Sequence, residues 1–408
     1  MNPMLNTAGT TAADIPEFPM PRPARCPFDP PQELRSLQEE GALARVRLWD
    51  GSTPWVVTRH TEQKALSTDP RVSADSDTPG YPRTADGGEG AKFSFVHLDD
   101  PEHARLRRMV SGAFTIKRVE AMRPAVQKMV NGFINDMLAG PKPVDLVEAL
   151  ALPVPSLVIC ELLGVPYADH EFFQINSKSL ISRKTTSEER GAAHVRLAEY
   201  LDSLVGEKLA HPGDDLLSAL AGRVAAGELP RTDAVLMGIL LLLGGHETTA
   251  NMIALGTLAL LRHPGQLALL RETDDPKVIA SAVEELLRYL TIAHNGRCRV
   301  ALEDIEIGGR TIRAGEGLIL ANDVGNRDDT VFPDPGRLDI TRDARRHVAF
   351  GSGVHHCLGQ PLARMELQVV YGTLYRRIPT LRLATEFEQI PFKHDGFIYG
   401  VHELPVTW

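Results

Sequence analysis

From Thr232 or Asp233, either a good N-cap, to about Arg262, the chain reads as one unbroken helix stopped by Pro264. At 1.5 Å per residue it would be roughly 45 Å long. Its apolar run, Ala234 to Gly245, is 12 residues and ends at His246-Glu247, too short to span a bilayer. Mid-helix stands Gly244-Gly245-His246-Glu247-Thr248-Thr249. Two glycines inside a helix cost roughly 1 kcal/mol each relative to alanine, so the pair implies a reason. That reason is the close approach of a planar ligand or a local opening of the helix. Glu247 and Thr248 interrupt the apolar face, where a carboxylate and a hydroxyl could pass protons inward through water. The ordinary alternative is that the glycines let helices pack closely while Thr248 back-bonds to a carbonyl.

The rest of the chain is mostly helical too. Residues 1–30 form a proline-rich extended arm, and 31–408 form a single domain. Two β-like stretches, Ala44–Trp49 and Trp55–Thr58, are joined by a turn at Asp50-Gly51. Residues 73–92 read as a long, functional loop. Helical pattern follows from Glu102 to about Ala221, interrupted at Pro124, Pro141–Pro143, Pro153–Pro155 and Pro166. Asp275-Pro276 opens another helix, to about Leu290. Short strands fill 299–320, with a turn at Gly308-Gly309, and an irregular stretch, 326–347, precedes Phe350–Gly359 and a helix to about Arg377. The fold class is mainly α with a small β part. A formal charge of −9 argues against nucleic acid as a partner. Four widely spaced cysteines make no disulfide framework, and no signal peptide opens the chain, so a cytoplasmic, membrane-free protein is expected.

The strongest chemical signal is Phe350-Gly351-Ser352-Gly353-Val354-His355-His356-Cys357-Leu358-Gly359. Glycines bracket one cysteine just before a helix, permitting tight backbone. Amides at that helix's N-terminus favour a thiolate, and a thiolate so held is suited to bind an iron. Two alternatives stand beside this: a buried free cysteine in a turn, and a zinc site using His355, His356 and Cys357, for which the other cysteines offer no paired spacing.

These ten residues match, at every specified position, the ligand-loop pattern Phe-x-x-Gly-x-His-x-Cys-x-Gly of the cytochromes P450, and the chain resembles the soluble bacterial members of that family over roughly residues 30–408. The resemblance implies a triangular-prism fold with haem b (iron protoporphyrin IX) between the long central helix and the loop, and Cys357 as the metal ligand. It assigns Glu247 and Thr248 to dioxygen activation. His103 and Arg107, four apart on one helix face, Arg299 and His355 would hold the haem propionates. Glu285-Leu286-Leu287-Arg288 would form a buried structural cluster with Arg337.

The activity implied is a monooxygenase, inserting one atom of O2 into a C–H or C=C bond of a hydrophobic secondary metabolite, macrolide, steroid, terpenoid or xenobiotic. Candidate pocket residues are Leu240, Gly244, Ile292, Ala293, His294 and Phe397. His294 either bonds a polar group of the substrate or belongs to a capped turn at Asn295-Gly296. Electrons would come from NAD(P)H through a ferredoxin reductase and an acidic ferredoxin. Between His103 and Arg118 lie five basic residues and no acid, and Arg342, Arg345, Arg346 and Arg364 flank the loop, a basic face for docking. A monomer is expected. A peroxide-driven peroxygenase, a nitric-oxide reductase of the same family and a non-catalytic haem sensor are the alternatives; Glu247 weighs against the first two.

Overall fold

A computed structural model describes residues 15–85, 94–182, 184–294, 296–394 and 396–408. The first part of the expected arm and the last part of the expected 73–92 loop, from residue 86 on, lie outside the described residues, as does Asn295. Residues 15–31 lie against the body. Phe18 and Met20 are buried under the main sheet, and the Arg22 guanidinium donates to the Thr291 carbonyl (2.9 Å) while stacking on Tyr399.

Helix α1 (Gln32–Glu40) leads to strands β1 (Leu43–Arg45) and β2 (Trp55–Val57), an antiparallel pair whose connection turns at Gly51 (φ 81°). Then come α2 (His60–Thr68), β3 (Val72–Ser73) and α3 (Glu102–Ser111). Helix α4 (Ile116–Ala139) contradicts the expected break at Pro124 by running straight through it. Its buried stripe, Val119, Val126, Val130, Ile134 and Met137, continues across the proline, so packing against the rest of the core outweighs the roughly 3 kcal/mol that an interior proline costs. After β4 (Val144–Asp145), the prolines at 153–155 open α5 (Pro153–Leu163), where a first-turn proline loses no hydrogen bond; Gly164 (φ 75°) closes it. Helices α6 (His170–Ile181), α7 (Ser187–Ala210) and α8 (Leu216–Ala225) follow, α7 starting with a capping box of Thr186 and Glu189.

The long helix, α9 (Arg231–Arg262), starts one residue before the expected caps. Pro230 holds the cap position, and Asp233 sits in the first turn, where its charge suits the helix dipole. Every residue from Thr249 to Leu260 is buried, because α5, α7 and α13 surround it. Helices α10 (Pro264–Arg271) and α11 (Pro276–Leu290) follow, with Asp275 accepting from the Lys277 N–H as the α11 cap. Strands β5 (Arg297–Ala301), β6 (Ile305–Ile307), β7 (Arg310–Ile312) and β8 (Gly317–Leu320) come next, with Gly308 and Gly309 at positive φ between β6 and β7. The short α12 (Asn322–Gly325), an irregular stretch and α13 (Gln360–Arg377) complete the helices, and β9 (Arg382–Leu383) and β10 (Pro405–Thr407) end the chain. The main sheet has the order β1-β2-β8-β5-β3, and β10 lies between β4 and β9 in a second sheet. Among the described residues no single helix is long and apolar enough to cross a membrane.

Candidate active site

A cavity of about 180 Å³ separates α9 from the loop before α13. Leu240, Gly244 and Thr248 line it on the α9 side, and Phe350, His355 and Cys357 on the loop side. The loop can lie this close to its neighbours only because of its glycines. A Cβ on Gly353 (φ 73°) would stand 2.0 Å from the Ser67 carbonyl oxygen, and one on Gly351 (φ 78°) would stand 1.6 Å from Arg297 Nη1. The Cys357 N–H donates to the Phe350 carbonyl (2.9 Å), closing the turn. The cysteine's exposed surface is cavity wall. Burial pushes its thiol pKa up, while the Gly359 N–H and the guanidiniums of Arg107, Arg297 and Arg364 pull against that.

Cations gather around the same cavity. The α3 helix places His103 and Arg107 one turn apart. His103 is 2% exposed, its Nδ1 is bonded to Asp100 (2.9 Å), and its Nε2 is buried with no partner among the described residues. Its ring lies 4.2 Å from that of His355. Arg107 donates to the His356 carbonyl. Arg299 bonds the Cys298 carbonyl (2.7 Å), and burial lowers its pKa. His355 is held neutral, down to about 3, by burial first and then by Arg299, His103 and Arg107.

One further cation escaped the sequence reading. Arg297 stands two residues before Arg299 on β5, so both point to one face of the strand. It reaches under Gly351 to Asn322 Oδ1 (2.8 Å), and burial, followed by repulsion from Arg299, brings its pKa down to about 9. The period of two in Arg297-Cys298-Arg299 is the signal that could have found it.

This donor set fits an iron porphyrin. A thiol and a glycine-floored helix face each other across one cavity, and His103 holds an orphaned buried ring nitrogen beside several guanidiniums, the chemistry two propionates require.

On α9 the two glycines do different work. A Cβ on Gly245 would strike Ile159 of α5 at 2.6 Å, so this glycine allows close helix packing. Gly244 has nothing within 4 Å of such a Cβ and faces the cavity. Thr248 donates back to the Gly244 carbonyl (2.7 Å). The structure separates the expected acid–threonine pair. Thr248 lines the cavity with Cys357, but Glu247 lines a neighbouring one with Lys178, Lys393 and His402. There the Glu247 carboxylate, 6% exposed, accepts from Asn251 Nδ2 (2.9 Å) and pairs with Lys393 at 3.7 Å.

The cluster expected of Glu285, Arg288 and Arg337 needs a correction. Glu285 and Arg288 are fully buried and bidentate, at 2.7 Å for both contacts. The second guanidinium at Glu285 belongs to Arg342 (3.2 Å), whereas Arg337 is exposed and contributes only its carbonyl to Arg288 (3.3 Å). The irregular stretch folds back after Arg337, and the backbone turn at 339–342 delivers the later arginine.

Of the pocket candidates, Leu240 and Gly244 line the main cavity. Ile292, Ala293, His294 and Phe397 lie at a junction with the C-terminal segment: the Tyr399 N–H donates to the Ile292 carbonyl (2.8 Å), and His294 Nε2 bonds the Gly396 carbonyl (3.1 Å). His294 is 6% exposed, so it buttresses that segment.

Comparison with known proteins points to one family. The family description "Cytochrome P450" matches residues 183–378. The chain is 59% identical, over 98% of each chain, to cytochrome P450 GfsF of Streptomyces halstedii. The crystal structure of GfsF superposes with a TM-score of 0.91, covering 96% of this chain and all of that one. The vitamin D3 dihydroxylase of Streptomyces griseolus is 48% identical over 99% of this chain and 100% of its own length. The mycinamicin VIII C21 methyl hydroxylase of Micromonospora griseorubida, solved with mycinamicin VIII bound, is 44% identical with a TM-score of 0.91, covering 97% of this chain and all of its own.

Proposed function

The chain belongs to the cytochrome P450 family of haem-thiolate monooxygenases, and on that premise we propose that it inserts one atom of dioxygen into a C–H or C=C bond of a small hydrophobic secondary metabolite. The observation that carries this reading is Cys357 on the wall of a cavity whose opposite wall is Gly244 and Thr248. Haem b, which Cys357 would hold through its sulfur, would supply the dioxygen chemistry, a thiolate donor making the iron electron-rich. His103, Arg107, Arg299 and His355, with Arg297, would hold the propionates. Leu240 and the α9 wall exclude bulk water, and Thr248 holds a proton at Oγ1. Glu247, reached from the neighbouring cavity, brings protons in from solvent.

A macrolide or terpenoid fits this reading, since relatives of 44–59% identity include a protein named for mycinamicin and another named pentalenic acid synthase. Electrons come from NAD(P)H through a ferredoxin reductase and ferredoxin. The acidic partner docks beside Val354, which is 56% exposed on the ligand loop, guided by exposed Arg108, Lys117, Arg118 and Arg346. The protein works as a cytoplasmic monomer; all four cysteines are free, which suits a reducing compartment. A panel of macrolides and terpenoids, screened by the visible-spectrum shift on displacing iron-bound water and then for oxygenated product with O2, NAD(P)H and a ferredoxin system, tests the proposal. Product formed with hydrogen peroxide alone, and none with the ferredoxin system, would establish the peroxygenase instead.

A further inference from the structure

One arginine of the N-terminal arm is buried where three distant segments of the chain meet. Arg22 is 5% exposed, and its hydrogen bonds among the described residues all go to backbone carbonyls. Nη1 donates to Phe28 (3.4 Å), and Nη2 donates to Leu290 (3.3 Å) and Thr291 (2.9 Å). The flat face of the guanidinium covers the Tyr399 ring at 4.3 Å. Leu290 and Thr291 are the last residue and the C-cap of α11, whose terminal carbonyls lack partners within the helix and carry the negative end of its dipole. A cation suits that end, yet water or a neutral donor would serve it without taking a charge out of solvent. Placing a buried guanidinium there does something that capping alone does not require.

The two residues that Arg22 grips are the two sides of one joint. Thr291 is 3% exposed and has a left-handed backbone (φ 39°), uncommon for a β-branched residue. Its hydroxyl donates to the Arg288 carbonyl (3.1 Å) and accepts from Asn326 Nδ2 (2.8 Å), which pins it. Just beyond it, the Ile292 carbonyl takes the Tyr399 N–H, and the His294 ring, bonded to the Gly396 carbonyl, lies 5.1 Å from the Tyr399 ring. One side of the joint runs on into β5, whose Arg297 lies under Gly351 of the ligand loop. The other side runs through Gly396 and Ile398, which line the cavity that Glu247 lines. Phe18 and Met20, buried under the main sheet, hold the arm in place, so the guanidinium is delivered from a fixed support.

We propose that Arg22 is a positioning residue for the substrate pocket: it sets the spacing of the 291–294 turn against the 396–399 segment, and so the size of ligand that the pocket accepts. The inference rests on the haem-thiolate reading above. It gives the N-terminal arm a part in selectivity, exerted through Thr291 and Tyr399. A guanidinium is suited to this because it is planar and forked, able to stack on a ring while donating to several carbonyls; an ammonium does only part of it.

The test compares two nitrogen ligands of the haem-loaded, full-length protein, imidazole and the much larger clotrimazole. Each is titrated by the visible-spectrum shift on binding iron. In Arg22→Met, which keeps an unbranched stem and removes every donor, clotrimazole should bind about tenfold more weakly while imidazole is unchanged. Arg22→Lys should recover part of the loss. Met20→Ala, in the separate apolar cluster under the sheet, controls for a merely loosened arm. It should lower the urea midpoint and leave the ratio of the two affinities as in wild type. An unchanged ratio in R22M, or an equal change in M20A, overturns the proposal. Should R22M fail to take up haem, R22K decides alone, and a wild-type ratio there overturns it. The absence of any azole shift in wild type would remove the haem-thiolate reading and the proposal with it, a result distinct from an unchanged ratio.

Discussion

Arg342 Nε lies 3.2 Å from Glu285 Oε1, on the side of the carboxylate that Arg288 leaves open. The Asp339 N–H adds a third donor at the same oxygen (3.0 Å). A fully buried carboxylate is thus satisfied by two guanidiniums and one amide, and α11 is tied to the irregular stretch that leads into the ligand loop.

Stability should therefore respond very differently to the two arginines named for this cluster. Glu285→Gln leaves Arg288 buried with its charge unmatched and should cost about 3–5 kcal/mol. Arg342→Ala should cost about 1–3 kcal/mol, whereas Arg337→Ala should stay within about 0.5 kcal/mol of wild type. Urea unfolding followed by circular dichroism measures all three.

Replacing Cys357 with serine should abolish the red-shifted absorption band of the reduced carbon monoxide complex, together with product formation. Retention of both in Cys357→Ser would remove the sulfur ligand from the reading.

The Lys393 ammonium anchors Glu247 at 3.7 Å on the solvent side of α9. Glu247→Gln should lower the rate of product formation by about 10²-fold, the size of a general-acid contribution. Lys393→Gln leaves the acid in place and should lower it less, with a shifted pH–rate profile; identical profiles for wild type and K393Q would show that the ion pair has no part in proton entry.

Acid should unfold the protein partly through Glu284. Burial pushes this carboxyl up, but hydrogen bonds from His347 and Arg364 outweigh it and bring the pKa from 4.5 down to about 2. A depressed folded-state value contributes stability that is complete above pH 4.5 and is lost as pH falls toward 2. The contribution is on the order of 3 kcal/mol. The stability gap between wild type and Glu284→Gln should be widest near neutral pH and close steadily below about pH 4.5; a gap independent of pH would contradict this.

Ferredoxin-supported turnover should slow as ionic strength rises, because exposed charges such as Arg108, Lys117 and Arg118 are screened within about 8–10 Å at 0.1–0.15 M salt. Steady-state rates across a salt series check it, with Arg118→Glu expected to raise the KM for ferredoxin several-fold.

How much was legible before folding depends on the range of the interaction. The long helix, the strands around Gly308-Gly309 and the α11 cap at Asp275 are local events, set by periodicity, glycine conformation and one side-chain acceptor, and all were readable from the sequence. Pro124 was misread because a local penalty was outweighed by a buried stripe whose partners are distant in the chain. The alternation in Arg297-Cys298-Arg299 puts both arginines on one face, but that Arg297 lies under Gly351 of the ligand loop is set by tertiary packing alone.

The sequence by itself determined the chemical type of the centre. The residues from Phe350 to Gly359 left a buried free cysteine and a zinc site open, and it is their match to the family's ligand-loop pattern that selects an iron-bound thiolate. Only the tertiary structure decided which side chains meet. It gave Glu285 to Arg342 instead of Arg337, and it paired Glu247 with Lys393 in a cavity apart from the one that Thr248 lines. The reason is physical: spacing along a helix fixes a residue's direction, but the partner, the water it displaces and the charge it meets come from segments hundreds of residues away.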